Sequence, residues 1–492
     1  MSERSLLSPS TGVEDAATRV RHPGVTLAVI ISCQLMIVVA TTVVNIALPG
    51  IREDLGFSPT DLSWVVNAYM LTFGGLLLLG GRCGDLLGRR AVFLTGIAIF
   101  TACSLLAALA PTAPVLLAAL VGQGLGAALA EPTSLAMLAT TFAEGPQRNR
   151  ALGAFSTVAG AGTAVGMILG GLLSLASWRW TLFLNVPIGI AVLLVTPRFV
   201  AESERRPGRF DLAGALTSTA GMAALVNTFI QAQSHGWTDR ATLLSGGAAV
   251  LLLAIFVAVE LRAEQPVVPL RLLARRERTA AYLDTLLVGA TVSGLFFFLT
   301  QFLQTVLGYS GLRAGFGFLP LAVLMVVSAV AAPRLLARLG ARPLLVVGAA
   351  VLGAGTFWFS RITEETGYAS GLAIPLVLVG LGLGLTIMPL NSIILTGVSR
   401  GEVGAASGLQ QAMLRVGASL GLALLVTAGG GRAGAHRAPV PGAGHGALVH
   451  SIETGFTVAT GFVLCALVLG LLAFRKGSTT LPEKSTGDHS GK

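Results

Sequence analysis

The chain has 492 residues, of which 53% are hydrophobic and only 11% charged, and its mean hydropathy is +0.79. Water-soluble folds carry about 25% charged residues, so most of this surface suits lipid, and a soluble globular protein is excluded. The net charge of +10 would suggest a nucleic-acid partner on a soluble protein; in a membrane chain it is the positions of the charges that carry meaning.

A bilayer core takes about 20 apolar residues per helix. On that length the sequence predicts helices over 25–48, 62–81, 91–110, 114–138, 151–174, 181–197 and 211–232, then 241–260, 280–307, 314–336, 343–360, 370–396, 404–427 and 455–474. That is fourteen spans of an all-α membrane protein. The first, Val25 to Leu48, is longer than the apolar part of a signal peptide and has no small-residue cleavage site after it, so it is expected to stay. With the N-terminus placed in the cytoplasm, 25 of the 33 Lys+Arg fall in inside segments and 7 in outside segments, while Arg415 lies within a helix. The helices were placed without this bias, so it supports fourteen spans with both ends inside.

Two charged loops, 198–210 and 261–279, bracket the seventh and eighth helices. They divide the chain into a tail 1–24, a six-helix bundle 25–197, a linker region 198–279 with two extra central helices, a second six-helix bundle 280–474 and a tail 475–492. Both tails are expected to be disordered. Segment 428–454 reads as an external loop rich in Gly, Ala, Pro and His. GGRCGDLLGRRAVFLTG after the second helix is echoed by APRLLARLGARPLLVVG after the tenth. Such a repeat of parallel halves is common in secondary transporters.

The first of these segments contains Gly81, Asp85, Gly88, Arg89 and Arg90. Small residues let two helices approach at a turn, Asp85 can cap or pair, and the arginines suit lipid headgroups; topology alone would not require the aspartate and the glycines. This loop resembles the signature loop between helices 2 and 3 of the major facilitator superfamily. TTVVNIALP (Thr41–Pro49), GQGLGAA (Gly122–Ala128), GMILGG (Gly166–Gly171), SWRWTLFLNVPIG (Ser177–Gly189) and GAASGLQQ (Gly404–Gln411) resemble its fourteen-helix drug:proton antiporter branch, in the same order. The resemblance implies a major facilitator fold and a rocker-switch exporter. It implies a cytoplasmic gate of Asp85, Arg89 and Arg90. It also implies that the glycines matching Gly162, Gly166 and Gly170 let the fifth helix pack and slide against the other half; static packing is the alternative.

The chain departs from that family where proton coupling is expected. Ala40 stands where an Asp is frequent, Leu120 where an Arg is usual, and Met167 where a Pro is usual. An unpaired buried charge is costly in a membrane, so loss of one partner favours loss of the other. Two carboxylates are candidates to replace the pair. Glu131 lies 11 residues beyond Leu120, which returns it to within about 20° of the same face and about 16 Å further along. Asp284 follows Arg278 in the ninth helix and is expected to be shallow, reaching the interface or pairing with a basic residue of the preceding loop. For both, structural pairing is the alternative to proton transfer.

Polar residues within apolar runs outline a substrate cavity: Gln34, Thr41 and Asn45 on one face of the first helix, Gln301 and Gln304 beside Phe297, and Gln123, Asn391, Gln410, Gln411 and Arg415. Amides and aromatics with few charges suit a bulky, weakly charged organic molecule, although interhelical hydrogen bonding would use the same residues. No phosphate-binding GxxxxGK[ST] occurs, and Gly417–Gly421 fits GxSxG only inside an apolar run, so neither ATP nor hydrolase chemistry is expected. Four cysteines without CxxC spacing and the loop histidines His436, His445 and His450 give no metal pattern.

The expectation is therefore a monomeric, multi-pass protein of a bacterial plasma membrane. It is not an enzyme, and it has no cofactor beyond a proton gradient and no nucleic-acid partner. It exports small organic compounds against protons, in contact with lipid. An uncoupled facilitator or importer, and a non-transporting receptor, are the alternatives.

Overall fold

The computed structural model describes residues 23–58, 61–142, 146–200, 202, 212–263, 270–398, 403–430 and 446–473. Both tails, most of the two charged loops and residues 431–445 lie outside that range, as do His436 and His445. Every described segment is helical or a short connection. In lipid the backbone must satisfy its own N–H and C=O groups, and a helix does so within one segment.

The N-terminal helices are α1 (Pro23–Leu55), α2 (Ser63–Leu87), α3 (Arg89–Ala108), α4 (Ala113–Thr141), α5 (Pro146–Ser174), α6 (Trp178–Phe183) and α7 (Asn185–Phe199). Next come α8 (Leu212–His235) and α9 (Arg240–Glu260). The remainder are α10 (Arg276–Gln301), α11 (Gly311–Gly317), α12 (Leu319–Leu339), α13 (Ala341–Phe359), α14 (Tyr368–Gly371), α15 (Ala373–Leu395), α16 (Val403–Gly430) and α17 (Gly446–Ala473). A π-helical turn, Phe302–Val306, continues α10. The connection expected over 428–454 is shorter, because α16 runs to Gly430 and α17 begins at Gly446; His450 is helical and pairs with Glu453, Nδ1 to Oε2 at 3.5 Å.

Among the described residues, twelve helices are long and apolar enough to cross a bilayer, against the fourteen expected. The two further long helices are α2 and α5, of 25 and 29 residues, whose apolar stretches among the described side chains are Ser63–Leu77 and Val165–Ser174.

The packing repeats. α4 lies against α2 and α3, as α15 lies against α12 and α13. α5 runs along α1, as α16 runs along α10. α7 flanks α1 and α3, as α17 flanks α10 and α13. The repeat extends to the turns. α2 passes into α3 through Gly88 alone (φ 105°), and α12 passes into α13 through Gly340 alone (φ 82°). A side chain rarely adopts that conformation, which is why each echoed segment carries a glycine there. The signature segment is therefore helical up to Leu87, not a loop, and Cys83 lies in α2.

The two sets of helices meet where α2 packs on α16 and where α5 packs on α11 and α12. α8 sits over the first junction and touches both α2 and α16. Its Val226 and Ile230 are buried with Leu71 of α2 and Ala423 of α16, and Thr427 of α16 donates to the Phe229 carbonyl at 2.8 Å. α9 packs mainly on α8 and leaves Leu243, Leu244, Val250 and Leu251 exposed.

Candidate functional site

α4 carries both a carboxylate and a proline in its interior. Pro132 has no N–H, so the Ala128 carbonyl one turn back loses its helical partner. Gly80 of α2 comes directly against that carbonyl, a place no side chain could occupy. Thr133 donates to the carbonyls of Leu129 and Ala130, and Ser134 to that of Glu131. α4 nevertheless runs as one helix past Glu131, which is only 6% exposed.

Glu131 Oε1 lies 3.8 Å from Arg415 Nη2 on α16, so the ion pair links the two sets of helices. The guanidinium carbon of Arg415 stands 4.6 Å from the ring centroid of Phe73 on α2, an attraction that cations find over aromatic faces. Tyr69 adjoins Phe73, their rings 5.6 Å apart. The close approach is possible because position 74 is glycine: a Cβ there would meet the backbone nitrogen of Val416 at 3.3 Å and the Cβ of Arg415 at 2.5 Å. Three polar atoms of this region are buried without a hydrogen-bond partner, Glu131 Oε2, Arg415 Nε and Tyr69 Oη, as is Gln34 Oε1 on α1.

The other expected residues divide. Gln304 on the π-helical turn donates to the Ile46 carbonyl of α1 at 3.0 Å and so also bridges the halves. Thr41 and Asn45 bond to their own helix, at the carbonyls of Val38 and Thr41. Gln123 donates to Ser104 at 2.8 Å and ties α4 to α3. Gln301 reaches only the Phe297 carbonyl of its own helix, at 3.5 Å. Phe297 is buried against Phe298, which in turn meets Phe456 of α17. Asn391 is exposed and accepts from Gln410 at 2.5 Å, while Gln411 is half-buried on α16.

Asp284 is buried within the protein and, among the described residues, does not pair with the preceding loop. It is 1% exposed, and neither carboxylate oxygen has a hydrogen-bond partner. Among the described residues no basic side chain pairs with it; Arg278 donates to the Thr396 carbonyl instead. It lines a small cavity with Leu345, Leu352, Thr386 and Val463, all from one half.

At the signature segment the side chain of Asp85 lies outside the described residues. Arg89 reaches the Ala136 carbonyl of α4 at 3.3 Å, and Arg90 the Val200 carbonyl at 3.0 Å. Gly81 lies against Pro132. Glu202, just beyond α7, accepts from the backbone N–H of Arg90 at 3.0 Å and pairs with its side chain at 3.7 Å. A carboxylate at the start of α3 suits the positive end of that helix. Sequence reasoning passed over Glu202 because it sits in a mixed-charge loop.

The glycine stripe Gly162, Gly166 and Gly170 faces α1, at Val38, Val39 and Val43. It therefore packs within its own half. The face of α5 that meets the other half carries Met167 and Gly171, against Gly315 and Gly311. Asn67 and Ser419 were also missed; Ser419 donates to Asn67 at 2.9 Å across the α2–α16 junction. An asparagine and a serine inside apolar runs were the available signal. Gly417 and Gly421 pack α16 on α10, at Leu286 and Ala290.

Two matching sets of membrane helices with a polar site at their junction define a multi-pass transporter, not an enzyme. The sequence profile of the Major Facilitator Superfamily matches residues 30–422, and the chain belongs to that family. It is 43% identical to the cephamycin export protein CmcT of Amycolatopsis lactamdurans over 76% of this chain and 78% of the relative. It is 39% identical to the puromycin resistance protein pur8 of Streptomyces alboniger over 90% of this chain and 89% of the relative. Among solved structures it is similar in fold to the POT family transporter PepTSo, with TM-score 0.66 and 13% identity, covering 91% of this chain and 97% of that one.

Proposed function

We propose that the chain is a secondary exporter of small organic compounds of the antibiotic type, driven by inward proton flow through alternating access. The relatives named for cephamycin export and puromycin resistance support the substrate class. The observation that carries the coupling is the Glu131–Arg415 pair, which joins α4 of one half to α16 of the other. Protonating Glu131 removes one charge of that pair, so proton binding changes a contact between halves. Ala40 and Leu120 are buried in apolar core, where the family's usual pair would sit, and the pair at Glu131 takes over its task.

On this reading α2 and α5 complete fourteen crossings. Residues 25–197 and 280–474 form the two moving bundles, and both termini face the cytoplasm of a bacterial plasma membrane. The chain acts as a monomer, with lipid around it and no cofactor. The cross-half contacts of Gly171 with Gly311 and of Gln304 with Ile46 lie toward the outer end, which fits a state closed to the outside.

The test is efflux of a fluorescent drug from cells with and without an ionophore. Gradient-dependent efflux is expected, falling about 100-fold in Glu131→Gln, the scale general acid–base groups command. Efflux that ignores the ionophore would sink antiport and favour an uncoupled facilitator.

A further inference from the structure

The nearest atoms of Glu131 and Arg415 are 3.8 Å apart, an ion pair but too wide for a hydrogen bond. Each residue keeps a further buried atom without a partner, Oε2 on the carboxylate and Nε on the guanidinium. The carboxylate can only accept, and the guanidinium can only donate. A ligand that completes both must present a donor and an acceptor side by side.

A single charge does not meet that condition. An ammonium group would be drawn to Glu131 and repelled by Arg415, and a carboxylate the reverse. Either would leave one buried ion without compensation. Beside the pair stand the rings of Phe73 and Tyr69, and the Tyr69 hydroxyl is also buried without a partner. Flat apolar groups find their match there.

We infer that this site selects compounds whose head group is dipolar but uncharged overall, a carboxamide or an amino-acid-type zwitterion, carried on an aromatic or apolar body. The inference rests on the proposed transport reading and gives it a substrate class. It also has the right sign for antiport. A dipolar head group needs the ionised Glu131 as its acceptor, so it competes with the proton. A simple anion at Arg415 would bind better once Glu131 is protonated and would travel with the proton instead of against it.

The test uses four probes on one indole scaffold: tryptophan, indole-3-propanamide, tryptamine and indole-3-propionate. Binding to the full chain in nanodiscs is measured by calorimetry at neutral pH. Tryptophan or indole-3-propanamide is expected to bind about tenfold tighter than tryptamine and indole-3-propionate, the effect of one well-placed hydrogen bond to a charged group. Arg415→Gln should shift the preference toward tryptamine, and Glu131→Gln toward indole-3-propionate. A Glu131→Gln/Arg415→Gln double variant, which carries no unpaired charge, should bind all four within about threefold of one another while eluting as a folded monomer. The inference is overturned by equal affinities in the parent protein, by tighter binding of either singly charged probe, by single variants that leave the ranking unchanged, or by no binding at all. Failure of antiport alone would read differently: efflux would ignore the ionophore while the probe ranking stayed as stated.

Discussion

Glu131 and Asp284 are both carboxylates buried in apolar helices, 6% and 1% exposed. Their surroundings differ in one respect that decides what each can do. Glu131 faces Arg415 across the junction of two helix sets. Asp284 faces Leu345, Leu352, Thr386 and Val463, all from the half that contains it. A protonation event can drive a rearrangement only if the two arrangements hold the proton differently. On the proposed alternating-access reading, motion of one half against the other would change the neighbours of Glu131 and leave those of Asp284 together. On that reading burial alone does not mark a coupling group; a partner on the opposite half does.

The largest effect that would test this contrast is at Arg415. Arg415→Ala strands a buried carboxylate, and breaking such a pair from one side costs about 3–5 kcal/mol. Thermal unfolding in detergent should fall accordingly, and adding Glu131→Gln should restore most of the loss. A drop that the second substitution does not rescue would mean that Arg415 acts through packing alone.

Gly171→Val places a side chain against Leu312, whose Cα would lie 2.7 Å from the new Cβ. Overpacking costs about 1–3 kcal/mol, and here the cost falls on one conformational state. Efflux should drop about tenfold with probe binding retained. Gly166→Ala makes the complementary point within one half. Its Cβ would meet Val39 at 3.2 Å and crowd Thr42, so stability should fall by about 1–3 kcal/mol, with gradient dependence unchanged in the protein that folds. Asp284→Asn should have the smallest effect, with efflux within about twofold of the parent. A tenfold loss there would erase the distinction between the two carboxylates.

Much of this was legible in the residues. Apolar runs placed the helices, and the echoed arginine–glycine segments anticipated the matching turns at Gly88 and Gly340. An offset of 11 residues put Glu131 on the stripe of Leu120. What periodicity could not supply was the partner. Gly162, Gly166 and Gly170 form a stripe at any helix surface, but only packing shows that it meets α1. Thr41 and Asn45 share a face, yet each satisfies itself on its own backbone. Arg415 was picked out as a donor, but its pairing with Glu131 joins segments far apart in the chain, and neither segment specifies the other. Glu202 was invisible because a carboxylate in a charged loop looks like solvation until a helix start is found beside it.

α8 adds a condition that a two-body picture omits. It is wedged on α2 through Gly75 and Thr219 and fastened to α16 where Thr427 meets Phe229. If α2 and α16 change their mutual tilt, α8 can ride with only one of them, and its other seam must slip. On the proposed alternating-access reading the extra helix pair would then be a brake shoe on the rocking joint, and friction at that seam would count among the rates that set turnover.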